Sequence, residues 1–150
     1  MRFFSFAVVL VAAFVGCQAP PPNTIPVTGI VTLDGAPCAD ALVTFIPQGE
    51  TKGNGGAGYT DAEGKFIARL HDGQSGKGPP GLLPGKYKVL INKSVNPDGS
   101  PAVRDPNVAP IDSTARESLP AIYSDYEQSK LQVEVGLASV HEKFDLKSGK

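Results

Sequence analysis

The side chains in this 150-residue sequence whose types and spacing suit chemistry are few: Cys17 and Cys38, His71 and His141, the near neighbours Tyr123 and Tyr126, and a scatter of oxygen ligands at Asp98, Asp105, Asn107 and Asp112. A catalytic or metal centre needs several such groups converging. The two histidines stand far apart with no His-x-His pair, so a non-haem iron site built with Tyr123 and Tyr126 is not expected. The four oxygen ligands suit calcium chemically, yet their irregular spacing among prolines is the composition of a solvated loop. Gly-x-Ser-x-Gly and His-Glu-x-x-His do not occur, and Gly76-Lys77 lacks the upstream glycine and the following Ser or Thr of a phosphate-binding loop. The expectation is a chain with no catalytic residues, no metal and no cofactor.

Cys17 differs from the rest because of what precedes it. It ends an apolar run, Phe3 to Gly16, that begins just after Arg2. One positive charge, an apolar stretch of signal-peptide length and a small residue before the cysteine read as a bacterial lipoprotein signal over 1–16, with Cys17 as the lipid anchor. The run is too short to span a membrane: fourteen residues of helix reach about 21 Å, against a hydrocarbon core of about 30 Å. Ordinary secretory cleavage at Cys17-Gln18-Ala19 would leave Pro20 directly after the cut, a poor substrate for a peptidase that binds its target extended. Phe14 departs from the Leu usual at its position in such signals.

Gln18 to Pro26 contains Pro20, Pro21, Pro22 and Pro26 and favours an extended polyproline-like segment of about 28 Å. Residues 17–26 therefore read as a spacer between a membrane surface and a folded domain over 27–150. Removing 1–16 takes Arg2 from 14 basic and 15 acidic residues, leaving 13 and 15 and a charge near −2. The lysines are scattered, so no nucleic-acid partner is expected. The expected partners are a membrane, through the lipidated N-terminus, and a cell-wall or surface glycan or an envelope protein. The expected location is the cell envelope, facing the periplasm or the exterior. Cys38, left without a mate, reads as a small buried apolar residue near the second strand; an intermolecular disulfide and a Cys17–Cys38 bridge are the alternatives.

From Val27 onward, short runs of Val, Ile, Thr, Phe and Tyr are punctuated by Gly, Pro and Asp, with no helical period of useful length. Val27 to Leu33 is the first strand, closed by a turn at Asp34-Gly35. Ala41 to Ile46 is the second, stopped by Pro47, and Lys52 to Gly58 reads as a glycine-rich loop too flexible to pack. Asp61 to Gly64 is a tight turn with Lys65 to Leu70 as its second arm, and His71 to Pro84 is a second glycine- and proline-rich loop. In the strand opening at Gly85, Tyr87, Val89 and Ile91 share one face. A long polar surface excursion follows at about 94–122, and strands around Leu131 to Val135 and Val140 to Leu146 close the domain. About seven strands with one-sided alternation predict an all-β fold, an antiparallel β-sandwich.

Four stretches taken in order, Val27 to Pro37, Tyr59 to Phe66, Leu83 to Val89 and Leu119 to Tyr123, resemble the carboxypeptidase regulatory-like, or transthyretin-like, domain. The nearest resemblance is to short lipoproteins of that kind in planctomycete bacteria. It covers Val27 to about Leu146, and Tyr126-Glu127 departs from its pattern. The resemblance implies a non-catalytic envelope module of structural or interaction type, with a carbohydrate- or wall-binding module as the alternative. Tyr123 and Tyr126 are the candidate ligand contacts, each a flat apolar ring with a polar tip. A transthyretin-like enzyme is the remaining alternative, but hydroxyisourate hydrolases of that group use paired histidines and a Tyr-Arg-Gly-Ser tail, which this chain lacks.

Overall fold

Alternation of buried and exposed side chains along short strands assembles two sheets face to face. The computed structural model describes residues 23–71, 78–102 and 114–149. In chain order the elements are β1 (Val27–Leu33), β2 (Ala36–Pro37), β3 (Leu42–Gln48), β4 (Gly56–Tyr59), β5 (Lys65–Ile67), β6 (Arg69–Leu70), β7 (Gly85–Asn92), β8 (Ser94–Val95), β9 (Arg116–Glu117), α1 (Ala121–Ser124), β10 (Gln132–Val135) and β11 (Val140–Leu146). One sheet has β1 between β11 on one side and β2 with β5 on the other; the second runs β10-β7-β3-β4-β6. Among the described residues four of the eleven strands are two-residue pieces, which leaves seven longer ones.

The core lies between the sheets. Val27, Val31, Phe66, Phe144 and Leu146 face in from the first sheet, and Val43, Phe45, Tyr87, Val89, Ile91, Val133 and Val135 from the second. Each such side chain taken out of water contributes about 1.5–3 kcal/mol. Phe45 joins the sheets, its ring 6.0 Å from Phe66 and 6.4 Å from Tyr87, and Phe66 continues to Phe144 at 6.1 Å. Polar groups inside this core are satisfied. The Tyr87 hydroxyl donates to the Leu83 carbonyl at 2.7 Å. The Ser129 hydroxyl donates to the Val89 carbonyl at 2.7 Å. Thr60 donates to the Cys38 carbonyl at 2.6 Å and accepts from the Ala41 amide at 2.8 Å.

The expected turn chemistry is present. Asp34 and Gly35 both have positive φ, 52° and 85°, as a two-residue hairpin turn requires. At the second turn the Asp61 carboxylate accepts from the amides of Glu63 and Lys65, while Gly64 sits at φ 74°. Several expectations need correction. Pro47 does not stop its strand: β3 continues to Gln48, because beyond Phe45 it pairs only with β7. The Ala41 carbonyl faces β4, so by alternation the absent N–H of Pro47 faces the side β4 has left. The Lys52–Gly58 stretch is not a loose loop. Its last residues enter β4, where Gly56 and Gly58 are buried and a side chain would strike the carbonyls of Arg69 and Ile67. The sandwich is not wholly antiparallel either, since β1 and β11 pair in parallel over their full lengths, Val27 opposite Val140 through Leu33 opposite Leu146. The polar excursion leaves and returns through a small ribbon, β8 with β9, and ends in one helical turn, α1. Residues 103–113 of that excursion lie outside the described residues. At the other end, Ile25 is 8% exposed and exchanges backbone hydrogen bonds with Leu82, so the folded domain takes in two residues assigned to the spacer.

The C-terminal strand is held at its far end by carboxylates. Asp34 accepts from the amide and hydroxyl of Ser148, and Asp145 accepts from the Thr32 hydroxyl at 2.6 Å and pairs with Lys143 at 3.1 Å. Hydrogen bonds from Ser148 hold Asp34 below the usual aspartate range; the Thr32 hydroxyl, and then Lys143, do the same for Asp145. Carboxylates whose folded pKa is depressed stabilise the fold above the unfolded value of about 3.9 and cease to as the pH falls through the lower folded value. Protection of the Asp34 amide, which donates to Leu146, should therefore fall below about pH 4 while the amide of Val31 stays protected; equal protection at pH 3 and 6 by hydrogen-exchange NMR would show that these carboxylates do not hold the strand. Thr60→Val keeps the shape but strands the Ala41 amide and the Cys38 carbonyl in the core, and thermal unfolding should register a loss of about 2–4 kcal/mol.

Candidate functional site

Lys65-Phe66-Ile67-Ala68-Arg69-Leu70 alternates cleanly: Phe66, Ala68 and Leu70 are buried, and Lys65, Ile67 and Arg69 are exposed. This one arm serves both sheets. β5 pairs with β1, the Ala68 amide still donates to Val27 at 2.9 Å, and past Ala68 the chain pairs as β6 with β4. On the outside of the fork between β4 and β5 lies an open groove of about 680 Å³.

Strand register dictates its lining. Tyr59 stands opposite Leu42 across β4 and β3, Ile67 opposite Thr28 across β5 and β1, and Thr28 opposite His141 across β1 and β11. The register that sets Ala57 opposite Arg69 brings Tyr59 to the side of Ile67. A row of side chains thus runs from the outer face of one sheet round to the other. Two of its large apolar members are left in water: Tyr59 is 67% exposed and Ile67 55%. Lys65 and Arg69 flank Ile67, and among the described residues neither lies within ion-pair distance of a carboxylate. Asp61, the acid in the lining, has its carboxylate oxygen engaged by the amides of Glu63 and Lys65 at 3.0 and 2.8 Å. The Thr28 hydroxyl and His141 Nδ1 are 3.0 Å apart, a cross-strand contact on the outer face. Apolar surface, two cations and a hydroxyl–imidazole pair equip the groove to bind an amphipathic anion.

The residues singled out from sequence sit elsewhere. Tyr123, on α1, is half-buried against the core, and its hydroxyl accepts from the Lys147 amide at 3.0 Å. Tyr126 lies beyond α1 on the outer face of β7, with Lys88 Nζ 4.3 Å from its ring centre and donating to its carbonyl at 2.8 Å. The two rings turn to different elements and share no surface. Cys17 and the chain up to residue 22 lie outside the described residues. Cys38 is free and 1% exposed, and burial pushes its thiol pKa up, which leaves it protonated and unreactive. Asp98 is occupied locally, accepting from the amide and hydroxyl of Ser100; Asp105, Asn107 and Asp112 lie outside the described residues, as do Gly76 and Lys77. Among the described residues no three His, Cys, Asp or Glu side chains gather as a metal site would require.

No protein-family profile matches this chain, and no curated protein does. Among solved structures it is similar to a 9R-lipoxygenase from Cyanothece PCC8801, at 14% identity and a TM-score of 0.35. That alignment covers 95% of this chain and spans 18% of the other. Likeness at this level carries no argument about function.

If Tyr59 and Ile67 serve a ligand and not the fold, removing them leaves stability intact. Tyr59→Ser and Ile67→Ser should each change the unfolding free energy by less than about 1 kcal/mol, the usual range for exposed positions; a chemical denaturation curve showing a loss of about 3 kcal/mol or more would mark them as core residues instead.

Proposed function

We propose that this chain is a non-catalytic interaction module of the bacterial cell envelope, anchored by a lipid on Cys17 and presenting the sandwich toward the periplasm or the exterior. The groove carries this reading. Two large apolar side chains stand in water side by side on a two-sheet scaffold, rimmed by Lys65 and Arg69. Contiguous apolar surface with a polar rim marks sites of interaction. Its lining residues belong to strands of both sheets, so the scaffold holds them in place without a ligand.

The address rests on the sequence. Arg2, the apolar run to Gly16 and Cys17 have the order of a lipoprotein signal. With Ile25 already in the core, the spacer shortens to Gln18–Thr24, which in polyproline geometry reaches about 22 Å. A carbohydrate- or wall-binding module is the second reading, favoured by the exposed flat ring of Tyr59.

Anchoring and recognition separate experimentally. In fractionated cells the wild-type chain should pellet with membranes and extract into detergent, while Cys17→Ala should appear in the soluble fraction. Identical partitioning of the two would refute the lipid anchor. The double variant Tyr59→Ser, Ile67→Ser should stay with the membrane, since it alters the groove and not the anchor.

A further inference from the structure

The geometry points to an extended acidic peptide segment as the occupant of the groove, with carboxylates two residues to either side of an apolar side chain; this rests on the reading of the groove as an interaction site. Lys65, Ile67 and Arg69 lie on the exposed phase of one strand arm. Successive outward residues of a strand are about 6.6 Å apart, so the Cα atoms of Lys65 and Arg69 stand up to roughly 13 Å apart with Ile67 between them. Two carboxylates, one for each cation, pair both without drawing the long side chains together over Ile67. A ligand that satisfies both carries two anionic groups at that separation and apolar surface between them. A peptide of the pattern acidic-x-apolar-x-acidic has this period when extended, because it is the period of the strand it meets.

The apolar wall for its central side chain is already placed. Leu42 and Tyr59 face each other across β3 and β4, and Tyr59 borders Ile67. Among the described residues neither cation pairs with a carboxylate: Arg69 makes one long hydrogen bond, 3.4 Å, to the Gly78 carbonyl, and Lys65 uses its backbone amide, not its ammonium, in the turn. Asp61 keeps its charge, but its carboxylate is held in the turn by two amides on Oδ1, beside Lys65 and away from Arg69. The Thr28 hydroxyl and His141 lie across the sheet from Ile67, to one side of such a peptide. Charge and period together select this ligand over a fatty-acid anion, which offers one carboxylate, and over a neutral sugar, which offers none.

The test uses the full chain in non-ionic detergent and the fluorescein-labelled peptide Gly-Glu-Ser-Phe-Ser-Glu-Gly, read by anisotropy at low salt. Binding tighter than about 1 mM is expected. The scrambled Gly-Glu-Glu-Ser-Ser-Phe-Gly and the lysine-for-glutamate analogue should bind at least about tenfold more weakly, as should the patterned peptide to Lys65→Glu, Arg69→Glu. Added salt should weaken the complex, as screening of exposed charges requires. Equal binding of the scrambled peptide, or undiminished binding to the charge-reversed variant, would overturn the proposal. So would displacement by sodium decanoate or by an oligogalacturonate at tenfold lower concentration than the unlabelled peptide. Either displacement would leave the groove an interaction site with a different occupant. Only a groove indifferent to every probe would count against the wider reading as well.

Discussion

A single six-residue arm, Lys65 to Leu70, is hydrogen-bonded into both sheets, and the shape of the domain follows from that division. Its first half completes the sheet of β1 and β11; its second half borders β4 in the other sheet. A strand that changes sheets fixes the two layers against each other at one corner, as bends do in other sandwiches. It also brings β5 close beside β4, with Gly58 against the Ile67 carbonyl, and the groove is the outer surface of that junction. The buried phase of the arm holds Phe66 against Phe45 of the opposite sheet, so the corner is also where the aromatic contacts cross the core.

Around this corner the polar groups are accounted for by local partners. Thr60 serves a carbonyl and an amide of the segment that leads into β3, and Gly64 accepts the Val31 amide through its own carbonyl at 2.8 Å. No buried side-chain nitrogen or oxygen among the described residues lacks a partner. The turn at Asp61 to Gly64 is closed by the Glu63 and Lys65 amides donating to the Asp61 carboxylate and by the Gly64 amide donating to the Asp61 carbonyl. A rigid corner carrying exposed apolar side chains is the arrangement that lets a surface recognise a partner without ordering itself first.

Much of the fold was legible because alternation is a local signal. Tyr87, Val89 and Ile91, the Asp34-Gly35 turn and the hairpin turn at Asp61 follow from residue types a few positions apart. What alternation does not encode is which strands are neighbours. The parallel pairing of β1 with β11 joins residues 113 apart, and nothing near either strand specifies it. The glycines before Tyr59 read as flexible because composition speaks of backbone freedom, whereas Gly56 and Gly58 are selected by the closeness of a neighbouring strand. The tyrosine pair near the end of the chain drew attention by spacing alone, and the structure sends the two rings to different partners. One signal for the groove was within reach: Ile67 stands in the polar phase of its strand, between Lys65 and Arg69, where a charged or small polar residue would be ordinary. Its neighbour Tyr59 could be added only through the register of β4.

The parallel clasp between the first and last strands has a consequence for how such a chain is made. β1 is central in its sheet, with β11 along its whole length, yet the two are synthesised at opposite ends of the domain. Until Leu146 is in place, β1 has an open edge, and the core beneath Val27 and Val31 lacks Phe144 and Leu146. Contacts this distant in sequence form slowly, after the loop between them closes. The domain thus cannot complete its fold before the residues of β11 are available, however early the rest of the chain has been made.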